Sequence, residues 1–103
     1  MAFNAIEMDA ISVDPYVLDV LMADLAGHDR KPSAFLVYLA IWSAAEGGTT
    51  ALSHREVAAR TGLSKRAVQA AVMHLKRRAL LRVQNDGPTS VARYTPLTPW
   101  RRD

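Results

Sequence analysis

The chain of 103 residues contains no cysteine, which excludes a disulfide framework and any zinc site built on thiolates. No apolar run approaches the roughly 20 residues that a membrane-spanning helix needs. The opening residues MAFNAIEMDA carry neither the basic region nor the apolar stretch of a secretory leader, so the expected location is cytoplasmic. Internal repeats and low-complexity tracts are also missing. A chain of this length makes one domain, burying about two-thirds of its unfolded surface, which suffices for a modest core without staples. Cations are absent from the first 29 residues, which hold six acids (Glu7, Asp9, Asp14, Asp19, Asp24, Asp29). All thirteen basic residues fall in 30–103, against four acids. A basic body of that kind attracts polyanions, and the plainest expectation for the acidic segment is that it faces away from them.

Signatures of chemistry are equally scarce. The sequence has no glycine-rich phosphate loop, no nucleophile elbow and no paired catalytic carboxylates. Its three histidines, His28, His54 and His74, fall in a linker, in a first helical turn and on a helix. None stands at ligand spacing from another histidine or a carboxylate, and His74 reads as a helix-surface residue. The expectation is a protein that is not an enzyme and has no cofactor, no metal and no small-molecule ligand.

What is present concentrates in residues 51–83, ALSHREVAARTGLSKRAVQAAVMHLKRRALLRV. Ser53 and Glu56 form a capping box, so a helix starts there. Thr61-Gly62 ends it, with glycine supplying the left-handed residue a helix C-terminus requires. Leu63 plugs the turn and Ser64 caps a second helix. Ala58 is small where two helices cross closely. In the second helix Val68, Val72 and Leu75, with Ala71 beside them, recur at helical spacing as the buried stripe. The opposite side carries Arg66, Gln69, Ala70, Met73 and Arg77, flanked by Lys65 and Lys76. Arg66 and Gln69 are able to pair bidentately with guanine and adenine edges, and small Ala70 lets the helix sit deep in a groove.

After this helix the period changes. Leu80–Val83 and Val91–Thr95 read as strands around the turn-forming run Gln84-Asn85-Asp86-Gly87-Pro88-Thr89-Ser90, and Pro96 and Pro99 end the second. Thr49–Leu52 offers a third strand along the hairpin edge. Upstream, Asp14-Pro15 starts a helix with the apolar stripe Val17, Leu18, Leu21, Met22 and Leu25, which Gly27 terminates. Ser33 starts another, apolar on most sides through Phe35, Leu36, Leu39, Ile41 and Trp42, which Glu46-Gly47-Gly48 stops and which belongs at the centre of the core. Residues 3–13 read as an arm or edge strand. Trp100 is expected to dock near Tyr38 and Trp42, with the terminal arginines solvated.

Residues 33–95 resemble a winged helix-turn-helix domain, and 51–83 are particularly similar to those of bacterial and phage regulators and plasmid replication initiators. The expected fold is mainly α with a small β-hairpin and an extra N-terminal helix. It divides into an arm and acidic helix over 1–32, the winged domain over 33–96 and a basic tail over 97–103. The resemblance implies that Ser64, Lys65, Arg66, Gln69 and Ala70 approach base edges of double-stranded DNA. The wing would touch phosphates or the minor groove, which adds Arg82, Asn85 and Arg93 to Met73, Lys76 and Arg77 as contact residues. Met73 departs from the family, where a polar or basic residue is common. Ala79 replaces the usual glycine and is expected to give a less tight helix-to-strand turn. The extra helix implies a homodimer or a cover for its own core. The function implied is transcriptional regulation, and a replication-initiation module or a DNA-free protein-assembly module are the alternatives.

Overall fold

Proline at the first helical position and a continuous apolar sequence make Pro32–Ala45 the central helix. In the computed structural model, which describes residues 10–87 and 90–101, this helix is α2, and the other three helices and the strands β1 and β3 pack against it. Ahead of it lies α1 (residues 15–28), and after it come β1 (Thr50–Ala51), α3 (His54–Thr61), α4 (Lys65–Arg77), β2 (Leu81–Gln84) and β3 (Arg93–Pro96). Four helices and a three-stranded antiparallel sheet of order β1-β3-β2 make an α+β domain. Thr50 faces Tyr94 across one ladder and Val83 faces it across the other. The side chains therefore alternate, with Leu81, Val83 and Tyr94 toward the core and Arg82, Gln84 and Arg93 outward. The core gathers Val37, Tyr38 and Ile41 of α2, Val57 of α3, Val68 and Leu75 of α4 and Tyr94 of β3, all essentially inaccessible. Residues 1–9 of the expected arm, and Pro88 and Thr89 of the hairpin loop, lie outside the described residues.

The first helix departs from the expected stripe. Its hydrogen bonds widen to the i→i+5 pattern over Val17–Leu21 and Asp24–His28. Mixing this wider turn with α-helical turns gives about four residues per turn. Burial accordingly recurs every fourth residue, at Val17, Leu21 and Leu25, whereas Leu18 and Met22 are 47% and 41% exposed. The stripe is a narrow column, and it covers the domain's own core. Gly27 does not end the helix but lies inside it. The chain turns instead at Arg30, whose φ is 57°, and the Lys31 N–H donates to the Leu25 carbonyl.

The end of α4 also differs from expectation. Ala79 adopts a left-handed φ of 56°. Its N–H donates to the Lys76 carbonyl and the Leu80 N–H to the Leu75 carbonyl, the bond pair of a Schellman motif. Leu80 and Leu75 are both buried, supplying the apolar contact that accompanies it. The turn is as tight as glycine would make it, because the gain from burying Leu80 outweighs the Cβ strain at Ala79. That strain costs about 1–2 kcal/mol, against roughly 0.5–1 kcal/mol of extra chain entropy for glycine. Ala79→Gly is therefore expected to stabilise the fold by about 0.5–1 kcal/mol, read as an upward shift of the urea midpoint with an unchanged m-value. A destabilised variant would show that Ala79 contributes packing that outweighs its strain.

Candidate nucleic-acid interface

Local signals hold α3 and α4 at a fixed crossing. Ser53 Oγ accepts from the Glu56 N–H at 3.0 Å while the Ser53 N–H donates to Glu56 Oε1 at 2.8 Å, completing the capping box. That pair holds the Glu56 carboxyl below its ordinary range. Gly62, at a φ of 79°, closes α3 through its N–H to the Ala58 carbonyl. The Thr61 hydroxyl donates to the Val57 carbonyl at 2.8 Å. Two residues after Gly62, Ser64 Oγ accepts from the Ala67 N–H at 3.0 Å and starts α4. With Val68, Ala71, Val72 and Leu75 buried, the opposite side of α4 is fixed outward.

The exposed side carries every residue of this helix that was expected to contact DNA: Ser64, Lys65, Arg66, Gln69, Ala70, Met73, Lys76 and Arg77. Arg66, Ala70, Met73 and Arg77 recur at i, i+4, i+7 and i+11 and form one row. No acid occurs from Val57 to Asn85, a stretch with seven cations. The field over this side is therefore positive without compensation from its own sequence neighbours. At the N-terminal end of the row, Lys65 and Asn85 meet across a shallow cleft of about 520 Å³ that Ser53, His54, Arg55 and Ser90 also line. Sequence reading missed His54 and Arg55 here, although their place just after the Ser53 cap put them beside the start of α4. His54 Nδ1 lies 3.4 Å from Gln69 Nε2, a long contact that leaves the amide oxygen unengaged. Arg82 and Arg93 sit on the outer face of the sheet rather than on α4. Arg93 is paired with Asp86 at 3.5 Å, both well exposed, so that pair contributes little.

The far end of α4 holds the feature that sequence reasoning missed most clearly. His74 is not a free surface residue: its Nε2 lies 2.8 Å from Asp29 Oδ2, and its side chain is 13% exposed. Arg78 bonds the same Asp29 oxygen and reaches Asp24 Oδ2 at 2.5 Å. His28 Nδ1 takes the other oxygen of Asp29 at 3.0 Å and lies 3.8 Å from Asp24 Oδ1. Two histidines thus do stand beside carboxylates, contrary to expectation: His28 meets Asp24 and Asp29 at a spacing of four and one residues within the same segment, and helix packing brings His74 to Asp29 from 45 residues away. Asp24, His28 and Asp29 bring ligand-type atoms within 4.8 Å of one another. The cationic Arg78 already bonds both carboxylates. Hydrogen bonds from the His28 and His74 rings, reinforced by Arg78, hold the Asp29 carboxyl at about 2.

A second clamp ties the other end of α1 to the C-terminal segment. Trp100 stacks on Tyr16 at 4.7 Å and on Trp42 at 6.4 Å, as its expected docking requires. Its Nε1 donates to Asp14 Oδ2 at 2.8 Å. Arg101 is not simply solvated: it forks onto both Asp14 oxygens at 2.7 Å and lies over the Trp42 ring. Bonds from Arg101 and Trp100 hold the Asp14 carboxyl at about 2. Three of the acids expected to face away are thus engaged with the basic body. No helix among the described residues is long and apolar enough to cross a membrane. No family model, curated protein or solved structure matches this chain.

The two depressed carboxyls fix the sign of the acid response. Both lie below the ordinary value of 3.8, so their contribution is complete above pH 4 and is lost as pH falls toward 2. Urea midpoints should therefore drop steeply across that window. Asp29→Asn should flatten the drop and cost about 1–3 kcal/mol at neutral pH, since His74 and Arg78 lose their charged partner. An acid limb of unchanged steepness in Asp29→Asn would show that this carboxyl does not carry the effect.

Proposed function

We propose that the chain is a winged helix-turn-helix protein that binds double-stranded DNA, acting as a small cytoplasmic transcriptional regulator. In this reading α4 enters the major groove and the hairpin over 84–90 lies on the flanking backbone. The observation that carries it is the row on α4: cations at both ends, Gln69 and the small Ala70 between them, all exposed and with no acid from Val57 to Asn85. Arg66 and Gln69 stand where they reach base edges from the first two turns. Ala70 and Met73 offer apolar contact to thymine methyl groups. Lys65, with Arg55 and Asn85 around the cleft, suits a backbone phosphate, and Lys76 and Arg77 suit another further along the helix.

A replication-initiation module would use the same row in the same manner, and the distinction lies in the genomic site bound. The DNA-free assembly reading sets its interface on the acidic N-terminal helix, where Leu18 and Met22 are 47% and 41% exposed, and a further observation that favours it is the 59% exposure of Met73 in the middle of the row. An apolar side chain there suits a protein partner as well as a thymine methyl.

Two measurements test the DNA reading. If Arg55, Lys65, Lys76 and Arg77 each neutralise a phosphate, log K should fall with log salt at a slope of about −3.6. Fluorescence anisotropy on a random duplex reads this directly, and binding that is absent at low salt, or insensitive to salt, overturns the proposal. After selection of a preferred sequence, Arg66→Ala and Gln69→Ala should each cost about 1–3 kcal/mol at that site and relax its preference. Lys76→Ala should instead weaken all sequences alike and lower the slope by about 1. An equal loss on every sequence from all three variants would leave only phosphate contact.

A further inference from the structure

The widened turn at the end of α1 stacks donor groups as well as apolar side chains. At about four residues per turn, positions four apart lie one above the other, so Asp24 stands below His28 as Leu21 stands below Leu25. The Asp29 N–H closes this turn by donating to the Asp24 carbonyl at 2.9 Å, which returns Asp29 to the same side. His28 Nδ1 then lies 3.0 Å from Asp29 Oδ1 and 3.8 Å from Asp24 Oδ1, and one donor atom of each residue falls within 4.8 Å of the others. Two donors bound to one zinc ion at about 2.1 Å stand roughly 3.0 Å apart at a right angle and roughly 3.4 Å apart at the tetrahedral angle. The two spacings from the imidazole bracket these values, and a small rotation of the His28 ring closes the longer one.

The remaining oxygens of the two carboxylates are engaged on the opposite side. Arg78 bonds Oδ2 of both, and His74 Nε2 adds a second bond to Oδ2 of Asp29. Each carboxylate is therefore divided, with Oδ2 toward α4 and Oδ1 toward His28. Carboxylates that ligate a metal are commonly oriented in this way, by hydrogen bonds to the rest of the group. Arg78 supplies one positive charge against two carboxylates, so with neutral imidazoles the cluster keeps a negative charge for a cation. The side chain of His28 is 82% exposed and that of Asp29 only 9%. The cluster is thus closed by α4 on one side and open to water on the other. One imidazole nitrogen with two carboxylate oxygens suits zinc, whereas calcium and magnesium favour shells made of oxygen.

From this arrangement we infer that Asp24, His28 and Asp29 form a binding site for a divalent transition metal, zinc, through Asp24 Oδ1, His28 Nδ1 and Asp29 Oδ1. Three protein donors leave the other positions of the ion to water, which reaches it from the open side. The ion joins the last turn of α1 to the residue that follows it. Through Asp29 it also secures the bonds that hold α4. The site lies at the opposite end of α4 from the Lys65–Asn85 cleft and does not depend on DNA binding.

Zinc titration of the tag-free chain, followed by calorimetry and by NMR of the histidine rings, tests this. One zinc per chain should bind with micromolar affinity and shift the ring signals of His28 while leaving those of His54 in place. Saturating zinc should also raise the thermal midpoint by several degrees, because the three donors converge only in the folded chain. His28→Ala should weaken zinc binding about tenfold or more, and Asp24→Asn should do the same. The melt of His28→Ala in chelator should match that of the wild type, because the side chain is exposed. Calcium or magnesium at about a hundredfold excess should not displace the zinc. A chain that binds no zinc up to millimolar concentration overturns the proposal. So does zinc binding that His28→Ala leaves unchanged, or ring shifts confined to His54.

Discussion

Helix α2 has almost no polar side, and the fold is the set of elements needed to cover it. Val37, Tyr38 and Ile41 are wholly inaccessible, and α1, α3, α4, β1 and β3 all pack on the helix that carries them. Full burial contributes about 1.5–3 kcal/mol for a side chain such as Val37 or Ile41. Leaving one flank open would therefore cost a sizeable part of the few kcal/mol by which a small domain is stable. The one polar atom that α2 takes inside, the Tyr38 hydroxyl, donates to the Leu97 carbonyl at 2.8 Å. That bond draws the chain after β3 back across the helix. The Leu97 N–H in turn donates to the Leu80 carbonyl, so the segment is fixed from both sides. Burial pushes the Tyr38 phenol well above its ordinary range, which favours the protonated, donating hydroxyl.

The apolar column on α1 decides that this helix lies on α2, and polar clamps at its two ends decide how. At one end Asp14 joins Trp100 and Arg101, and at the other Asp24 and Asp29 join His74 and Arg78. Hydrophobic contact alone is indifferent to small slides and rotations, whereas a bidentate guanidinium or a ring nitrogen at 2.8 Å is not. The second clamp has a consequence for α4. Lys76, Arg77 and Arg78 are consecutive, so helical geometry spreads them around the axis by about 100° per residue. Arg78 turns toward α1 and is neutralised there, while Lys76 and Arg77 remain exposed. The cationic end of α4 also complements the helix dipole, which favours positive charge at the C-terminus.

What could be read from the sequence was what short-range chemistry determines. The Ser53–Glu56 box, the Gly62 turn, the Ser64 cap and the buried stripe of α4 each depend on residues within a few positions, and each forms as its spacing requires. The third strand at Thr50–Ala51 was legible for a related reason, since β-branched residues after a glycine pair have few other uses. The clamps were not legible, because their partners lie 45 to 87 residues apart and only packing brings them together. Reading His74 as a surface residue followed from its neighbours on α4, none of which bonds it. The stripe on α1 was read too wide because a period of 3.6 admits Leu18 and Met22, and the widened turn does not. At Ala79 the missing glycine suggested a missing turn. There the buried Leu80 on the far side of the bend mattered more than the strain within it.

These constraints together determine which side of α4 remains for contact. Val68, Val72 and Leu75 commit one side to α2 and the core, and His74 with Arg78, one turn apart, commits a second to α1. The Gly62 turn and the Ser64 cap prevent α4 from rotating relative to α3 at its start, and the Ala79 turn does the same where it joins β2. The row from Arg66 to Arg77 is what is left, fixed at both ends and on two sides. Its exposure is thus a consequence of how the other sides are engaged, and its rigidity comes without any contact made by the row itself. A surface so held loses little conformational freedom on meeting a partner, and its side chains alone bear the ordering cost. The acids of α1 contribute to this at a distance. By drawing Arg78 and His74 inward they fix the helix, and they leave the exposed cations of α4 with no carboxylate drawn from that segment.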